Sequence, residues 1–256
     1  MIWQNLTSPA LSQVNRLTPV ILPLAAIEQH GPHLPLATDR LIGEFLTSEL
    51  DRAIPDQVLI LPSLAVGCSR HHMDFSGTLT VSHDTFASQA IEIMECVIEQ
   101  GFQNLILFNS HGGNQGVGQV ILERLGEANP QCRVVLATWW KLAALKLSNV
   151  TEAGPGAVGH ACEFETSLIE CIAPELISRN SIAPGQNTPT LSWAEGDMLR
   201  SPRASLYRTM KQMTPNGVYG RPDLAHRKKG LAIRDAVVAE LKTIVMDLMN
   251  ASANHF

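Results

Sequence analysis

Apolar residues along this chain alternate between two kinds of pattern. Short continuous runs read as strands: Thr18 to Leu24, Val58 to Pro62, Leu105 to Phe108 and Arg133 to Thr138. The run Leu105-Ile106-Leu107-Phe108 has no polar face, as expected of a strand covered on both sides. Between these runs lie segments with helical spacing. From Asp39 to Asp51, Leu41, Ile42, Phe45, Leu46 and Leu50 form one stripe, and Glu44 and Glu49 fall off it. Helices are also predicted from about Thr85 to Gln100, Gln115 to Ala128, Ala161 to Ala173 and Gly230 to Asn250. Ser82-His83-Asp84 supplies a cap for the first of these, and Gly101 a stop. Thr78 to Val81 adds a short strand. Gly67 to Gly77 reads as a polar loop, and Asn180 to Gly220, rich in Pro, Ser, Thr and Gly, as irregular surface structure.

Strands alternating with helices predict an α/β fold with a mostly parallel sheet. Ligands in such folds bind beyond the carboxyl ends of the strands. The length of 256 residues fits one large domain, residues 1–256, better than two small ones. Apolar residues make up 45% and charged residues 17%, which excludes a disordered chain. A net charge of -5 without a basic stripe argues against nucleic acid as a partner. Cys68, Cys96, Cys132, Cys162 and Cys171 are scattered and odd in number, which fits reduced thiols rather than a disulfide framework. The N-terminus does not read as a signal peptide, and no apolar run has the roughly 18 residues a membrane helix needs. The expected location is cytoplasmic, with no membrane partner.

Candidate chemistry concentrates just after the first strand. Glu28-Gln29-His30-Gly31-Pro32-His33-Leu34-Pro35 is followed by Thr38-Asp39. A strand ending in Glu-x-His places both side chains on one face. His111 opens a second cluster, Asn109-Ser110-His111-Gly112-Gly113-Asn114, directly after the third strand. Imidazole plus carboxylate without sulfur suits Zn, Mn or Fe. Three carboxylates and two imidazoles suffice for two divalent metal ions if one aspartate bridges them, and such a pair makes water more acidic and polarises a carbonyl. The fifth ligand is expected from Glu163 or Glu165, at the start of a helix. Each part has a plainer reading. Glu-x-His can be a capping pair, Gly112-Gly113 a tight turn, and the two glutamates first-turn carboxylates. Of His71 and His72 one is expected to reach substrate, with His72 the candidate, or both are solvated. Trp139 and Trp140 end a strand, one in the core and one walling a pocket, with Trp139 the candidate.

These residues resemble the creatininase (creatinine amidohydrolase) family. The resemblance is carried by Leu22 to Pro35 with Thr38-Asp39, His72 with Gly77-Thr78, Asn109 to Asn114, Gly159-His160 with Glu165-Thr166-Ser167, Gly217 to Gly220, and Gly230. It implies a three-layer α/β/α fold, a homo-oligomer (often a hexamer) and a dinuclear centre. One metal would be held by Glu28, Asp39 and His111, the other by His30 and the bridging Asp39, with His160 moving the proton. Creatininases carry a glutamate ligand where this chain has Gly113; Glu165 is the expected replacement. The expected activity is metal-dependent cleavage of a C–N bond in a small, non-peptide, possibly cyclic amide. Gly112, Gly113 and Asn114 join His72 and Trp139 as expected substrate contacts. Two alternatives stand beside it: a deformylase of a formylamino-pyrimidine nucleotide, with Arg40 or Arg70 taking the phosphate, and a non-catalytic metal- or ligand-binding relative.

Overall fold

The computed structural model describes residues 1–154 and 156–253. In chain order its elements are α1 (Ser8–Ser12), β1 (Val20–Leu24), α2 (Thr38–Ala53), β2 (Leu59–Ile60), α3 (His83–Glu99), β3 (Asn104–Asn109), α4 (Gln115–Ala128) and β4 (Arg133–Thr138). Then follow α5 (Trp139–Leu142), α6 (Ala144–Leu147), β5 (Val158–His160), α7 (Glu163–Ile172), α8 (Met210–Met213), β6 (Tyr219–Gly220) and α9 (Arg227–Ala253). Among these, no helix is long and apolar enough to cross a membrane.

The main sheet has the order β2-β1-β3-β4, and every pairing is parallel. Successive strand side chains face opposite ways, so each inner strand feeds two cores. Val20, Leu22 and Leu24 pack with Phe86, Met94, Ile121 and Leu125 of α3 and α4. Ile21 joins Ile42 and Leu46 of α2, Phe164 and Leu168 of α7, and Ile233 and Val237 of α9 on the other face. The parallel sheet is the one the alternating apolar runs predict, and the three-layer α/β/α arrangement is the one the family resemblance implies. β5 and β6 form a separate antiparallel pair.

The element boundaries follow the sequence reading closely in the sheet and its helices. Ser82 caps α3 by accepting the Thr85 amide at 3.1 Å, and α3 ends just before Gly101, which has φ +93°. Three expectations need correction. Thr78 to Val81 is not a strand, because side chains take part of its hydrogen bonding: Thr78 Oγ1 accepts the Gln29 amide and Thr80 Oγ1 the Ser69 amide. Trp139 and Trp140 do not end β4 but open α5. The stretch from Asn180 to Gly220 is mostly irregular but contains α8 and β6, and part of it covers a cavity.

Candidate metal centre

In the sheet, β1 and β3 are neighbours, with β2 beyond one and β4 beyond the other. The chain therefore leaves their carboxyl ends in opposite directions and opens a crevice there. Glu28 and His30 enter that crevice, though not as the end of a strand. β1 stops at Leu24. The following loop is held by the Glu28 amide on the Leu36 carbonyl and by a bridge between Ile27 and Leu79. Loop bonding, not strand periodicity, thus aims the two ligand candidates.

The other donors come from three more segments. Asp39 sits in the first turn of α2, where the helix dipole favours a carboxylate. His111 follows β3; the Asn109 side chain clamps it by accepting its amide at 3.1 Å and donating to its carbonyl at 2.8 Å. Glu165 lies in the first turn of α7, and His160 in β5. His30 Nε2 is 3.3 Å from Asp39 Oδ1 and 3.8 Å from Glu165 Oε1. His111 Nδ1 is 3.0 Å from Asp39 Oδ2, and its Nε2 is 3.3 Å from Glu28 Oε2. Donor atoms of Glu28, His30 and Asp39 lie within 4.8 Å of one another, as do those of His30, His160 and Glu165 and those of Glu28, His71 and His111.

Four of these atoms are buried without a hydrogen bond: Glu28 Oε2, His30 Nε2, Asp39 Oδ2 and Glu165 Oε2. Buried polar atoms left without a partner are costly. Oxygen and nitrogen atoms left open in one cluster fit a hard or borderline divalent cation. The electrostatics agree. Burial alone pulls His30 down, but the Asp39 carboxylate outweighs it and lifts the imidazole to about 9. His111 is likewise raised, burial opposing and Glu28 and Asp39 prevailing. Burial pushes Glu165 up to about 7. Burial and the neighbouring His30 draw His160 down to about 3.

Gly113 accounts for the missing family glutamate. A Cβ there would lie 2.1 Å from the Cys68 carbonyl oxygen and 2.5 Å from His111 Nε2. A side chain at this position would have to displace the Cys68 carbonyl. Glu165 lies beside His30, its Oε1 3.8 Å from His30 Nε2.

The cluster forms the floor of a cavity of about 740 Å3. Glu28, Asp39, His72, His111, Gly112, His160 and Glu165 all line it. Other expected contacts do not. Asn114 donates to the Ala25 carbonyl and accepts the Cys68 amide, so its side chain ties β1 to the loop after it. Gly113 lies behind His111. Trp139 is fully buried against Phe164, and it is Trp140, in edge-to-face contact with Trp139 at 5.4 Å, that walls the cavity. Neither Arg40 nor Arg70 lines it; the basic residues that do are Lys141 and Arg208.

Sequence reading missed Gln29, whose side chain meets His72 and whose carbonyl meets His160. A glutamine between two ligand candidates carried no signal of its own. The sequence expects one of His71 and His72 to reach substrate, and the structure places both in the cavity lining, His71 stacked beside His111.

The creatininase family model, described as creatinine amidohydrolase, matches residues 4–245. The chain is 29% identical over 230 residues to the mycofactocin precursor peptide peptidase of Mycobacterium ulcerans (strain Agy99), covering 84% of this chain and 79% of that one. It is 24% identical over 177 residues to creatinine amidohydrolase of Pseudomonas putida, covering 64% and 67%. A solved structure described as creatininase Mn superposes with a TM-score of 0.79 at 20% identity, covering 96% of this chain and 97% of the other, and so shares the fold. The family match spans nearly the whole chain, and the donors of its first motif meet in one buried cluster: the chain is a hydrolytic enzyme of the creatininase family.

Proposed function

We propose that this enzyme is a metal-dependent amidohydrolase that cleaves a C–N bond in a small amide. One observation carries the reading: buried donor atoms from separate segments, four of them without a hydrogen bond, lie in groups within 4.8 Å of one another, and Glu28, Asp39, His111 and Glu165 among them line one cavity. In this reading Glu28, Asp39 and His111 hold one divalent cation, and His30, Asp39 and Glu165 a second. Such cations supply polarisation of a carbonyl and a more acidic water.

The protein's own part is to orient and to move protons. His160 Nε2 donates to the Gln29 carbonyl at 2.7 Å, which leaves Nδ1 with its lone pair toward Glu28, 3.7 Å away. His160 takes a proton from the attacking water at Nδ1 and returns it to the leaving nitrogen. His72 and Trp140 border the space for the substrate. Burial of Glu28 and Asp39 excludes water from their free oxygens.

The test is elemental analysis of the purified protein joined to a hydrolysis screen over formamides, lactams and acyl amides. Activity that disappears on chelation and returns with Zn, Mn or Fe supports the reading. Full turnover by a metal-stripped sample would end it.

A second reading is favoured by the cavity volume of about 740 Å3 and by the relative named as a peptidase. It makes the substrate a larger amide, such as the end of a peptide. A screen including short peptides separates the two. The deformylase alternative loses its expected phosphate contacts at Arg40 and Arg70, which leaves Lys141 and Arg208 as the basic groups available to it.

A further inference from the structure

We propose that Arg208 forms an anion subsite in the wall of the cavity, and that the substrate presents a carboxylate there while its amide lies over the floor. The proposal rests on reading that floor as the amide-cleaving centre, and it adds the class of substrate.

Arg208 lines the same cavity as Glu28, Asp39 and His111. It is half-buried, and no carboxylate among the described residues lies within ion-pair distance of it. Its hydrogen bonds are two long ones from Nη1, to the Thr188 and Pro189 carbonyls, both at 3.4 Å. The Nε and Nη2 donors make no hydrogen bond among the described residues. A guanidinium in this condition is a ready fork for a carboxylate or a phosphate. Asp197 also lines the cavity but is turned away from this task. Its two oxygens accept the amides of Gly156, Leu199 and Arg200 at 2.6, 2.9 and 2.8 Å.

The arginine is also well placed by its surroundings. It precedes Thr209, which caps α8 in a reciprocal capping box with Gln212. Lys211, the second residue of α8, has its Nζ 4.7 Å from the centre of the Phe75 ring. α8 is therefore pinned to the loop that carries His71 and His72. Lys141 of α5 adds a second positive charge to the cavity lining. Apart from Asp197, whose oxygens are taken by backbone amides, the acids lining the cavity belong to the donor cluster, where a cation is expected, and Lys141 and Arg208 lie elsewhere in its lining. A substrate with an anionic group at a distance from its amide matches both.

The test is binding, so it does not require turnover. N-acetylglycine, N-acetyl-β-alanine and N-acetyl-γ-aminobutyrate, each paired with its terminal carboxamide, are titrated into the metal-loaded enzyme by calorimetry. For at least one chain length the carboxylate should bind about tenfold or more tightly than its carboxamide. That ratio should fall to near one in Arg208→Gln and be partly kept in Arg208→Lys. Inorganic phosphate is the second probe. Binding of phosphate that depends on Arg208, without binding of the acyl amino acids, would keep the subsite and assign it a phosphoryl group. A ratio near one at every length, with phosphate binding unaffected by the substitution, would overturn the subsite. So would a preference that persists in Arg208→Gln, since the carboxylate would then be held by the metal alone. If the hydrolysis screen failed instead, these affinities would be unchanged, so the two failures are distinct.

Discussion

Gln29 Nε2 lies 2.9 Å from His72 Nδ1. The other end of the same amide is fixed, because Gln29 Oε1 accepts the Gly31 amide at 2.9 Å. The network therefore assigns Gln29 as donor and His72 Nδ1 as acceptor, which puts the His72 proton on Nε2. Nε2 stands 3.3 Å from Glu28 Oε1. His72 thus holds one oxygen of Glu28 while the other, Oε2, remains open on the cluster. Partners of this kind orient metal ligands, and losing them typically costs about 10- to 100-fold in metal affinity. Gln29→Leu is expected to weaken metal binding by about that factor while leaving the stoichiometry at saturation unchanged. Competition against a chromophoric chelator measures it. Wild-type affinity in the variant would mean that His72 does not orient Glu28.

The fit around Gly113 leads to a second expectation. Adding the family glutamate back should not create a better site. Even a methyl group would press on the Cys68 carbonyl and the His111 ring, and overpacking of this kind costs about 1–3 kcal/mol. Gly113→Ala should lower stability by roughly that amount and reduce metal affinity through the displaced His111. Gly113→Glu should do worse in both respects. Chemical denaturation and metal titration give the two numbers; a stable Gly113→Glu variant with tighter metal binding would show that the loop of Cys68 yields.

The sheet and its covering helices were readable because buried parallel strands and one-sided helices each leave a period in the sequence. Leu105 to Phe108 and the stripe Leu41, Ile42, Phe45, Leu46 and Leu50 are such cases, and they lie in β3 and α2. The stretch around Arg208 left no period. Its position depends on local bonds, such as the capping box of α8, and on contacts with distant loops. The donors were recognisable by type, but their convergence was not derivable from spacing, since Glu28 and His30 lie beyond the end of β1. The strand reading of Trp139 and Trp140 correctly puts one in the core and one at the cavity, but which is which depends on the turn of α5 that they open, and there Trp140 faces the cavity.

Metal loading should release protons. In the metal-free protein the neighbouring carboxylates overcome burial and hold His30 at about 9 and His111 well above the ordinary imidazole value. His30 is therefore protonated near neutral pH, His111 is shifted in the same direction, and a ligating imidazole must be neutral. Calorimetry at pH 7 in buffers of different ionisation enthalpy should show at least one proton expelled per cation, with affinity falling as the pH is lowered. Linkage gives the matching stability effect. The raised His30 stabilises the metal-free fold below the ordinary histidine pKa of about 6.5, and that contribution is lost as the pH rises toward about 9. The metal-free protein should lose stability across that window more steeply than the loaded one. Metal binding without proton release would contradict the ionic arrangement of His30 and His111.

Glu163 and Glu165 are two residues apart and both buried; helix position alone leaves either as a ligand, and the family resemblance points to Glu165. On a helix this spacing points the side chains to nearly opposite sides. Glu163 faces Lys229 and forms an ion pair with it; it also accepts the Thr151 hydroxyl and the amides of Glu152 and Ala153. Burial raises its pKa, but these partners outweigh that and hold it below the usual carboxylate value. Glu165 faces His30 with one oxygen unpartnered. Glu163→Gln should therefore weaken the neutralisation of Lys229, which keeps Glu152 at 3.0 Å and the Leu224 carbonyl at 2.7 Å, and cost about 1.5–3 kcal/mol, as losing a charged hydrogen-bond partner does, with metal content unchanged. Glu165→Gln should do the reverse, lowering metal content while stability of the metal-free protein holds or rises, because a neutral amide replaces a carboxyl that burial already pushes up to about 7. Denaturation of the metal-free proteins and elemental analysis of the loaded ones distinguish the two roles. Equal loss of metal in both variants would show that the division of labour between these two acids is wrong.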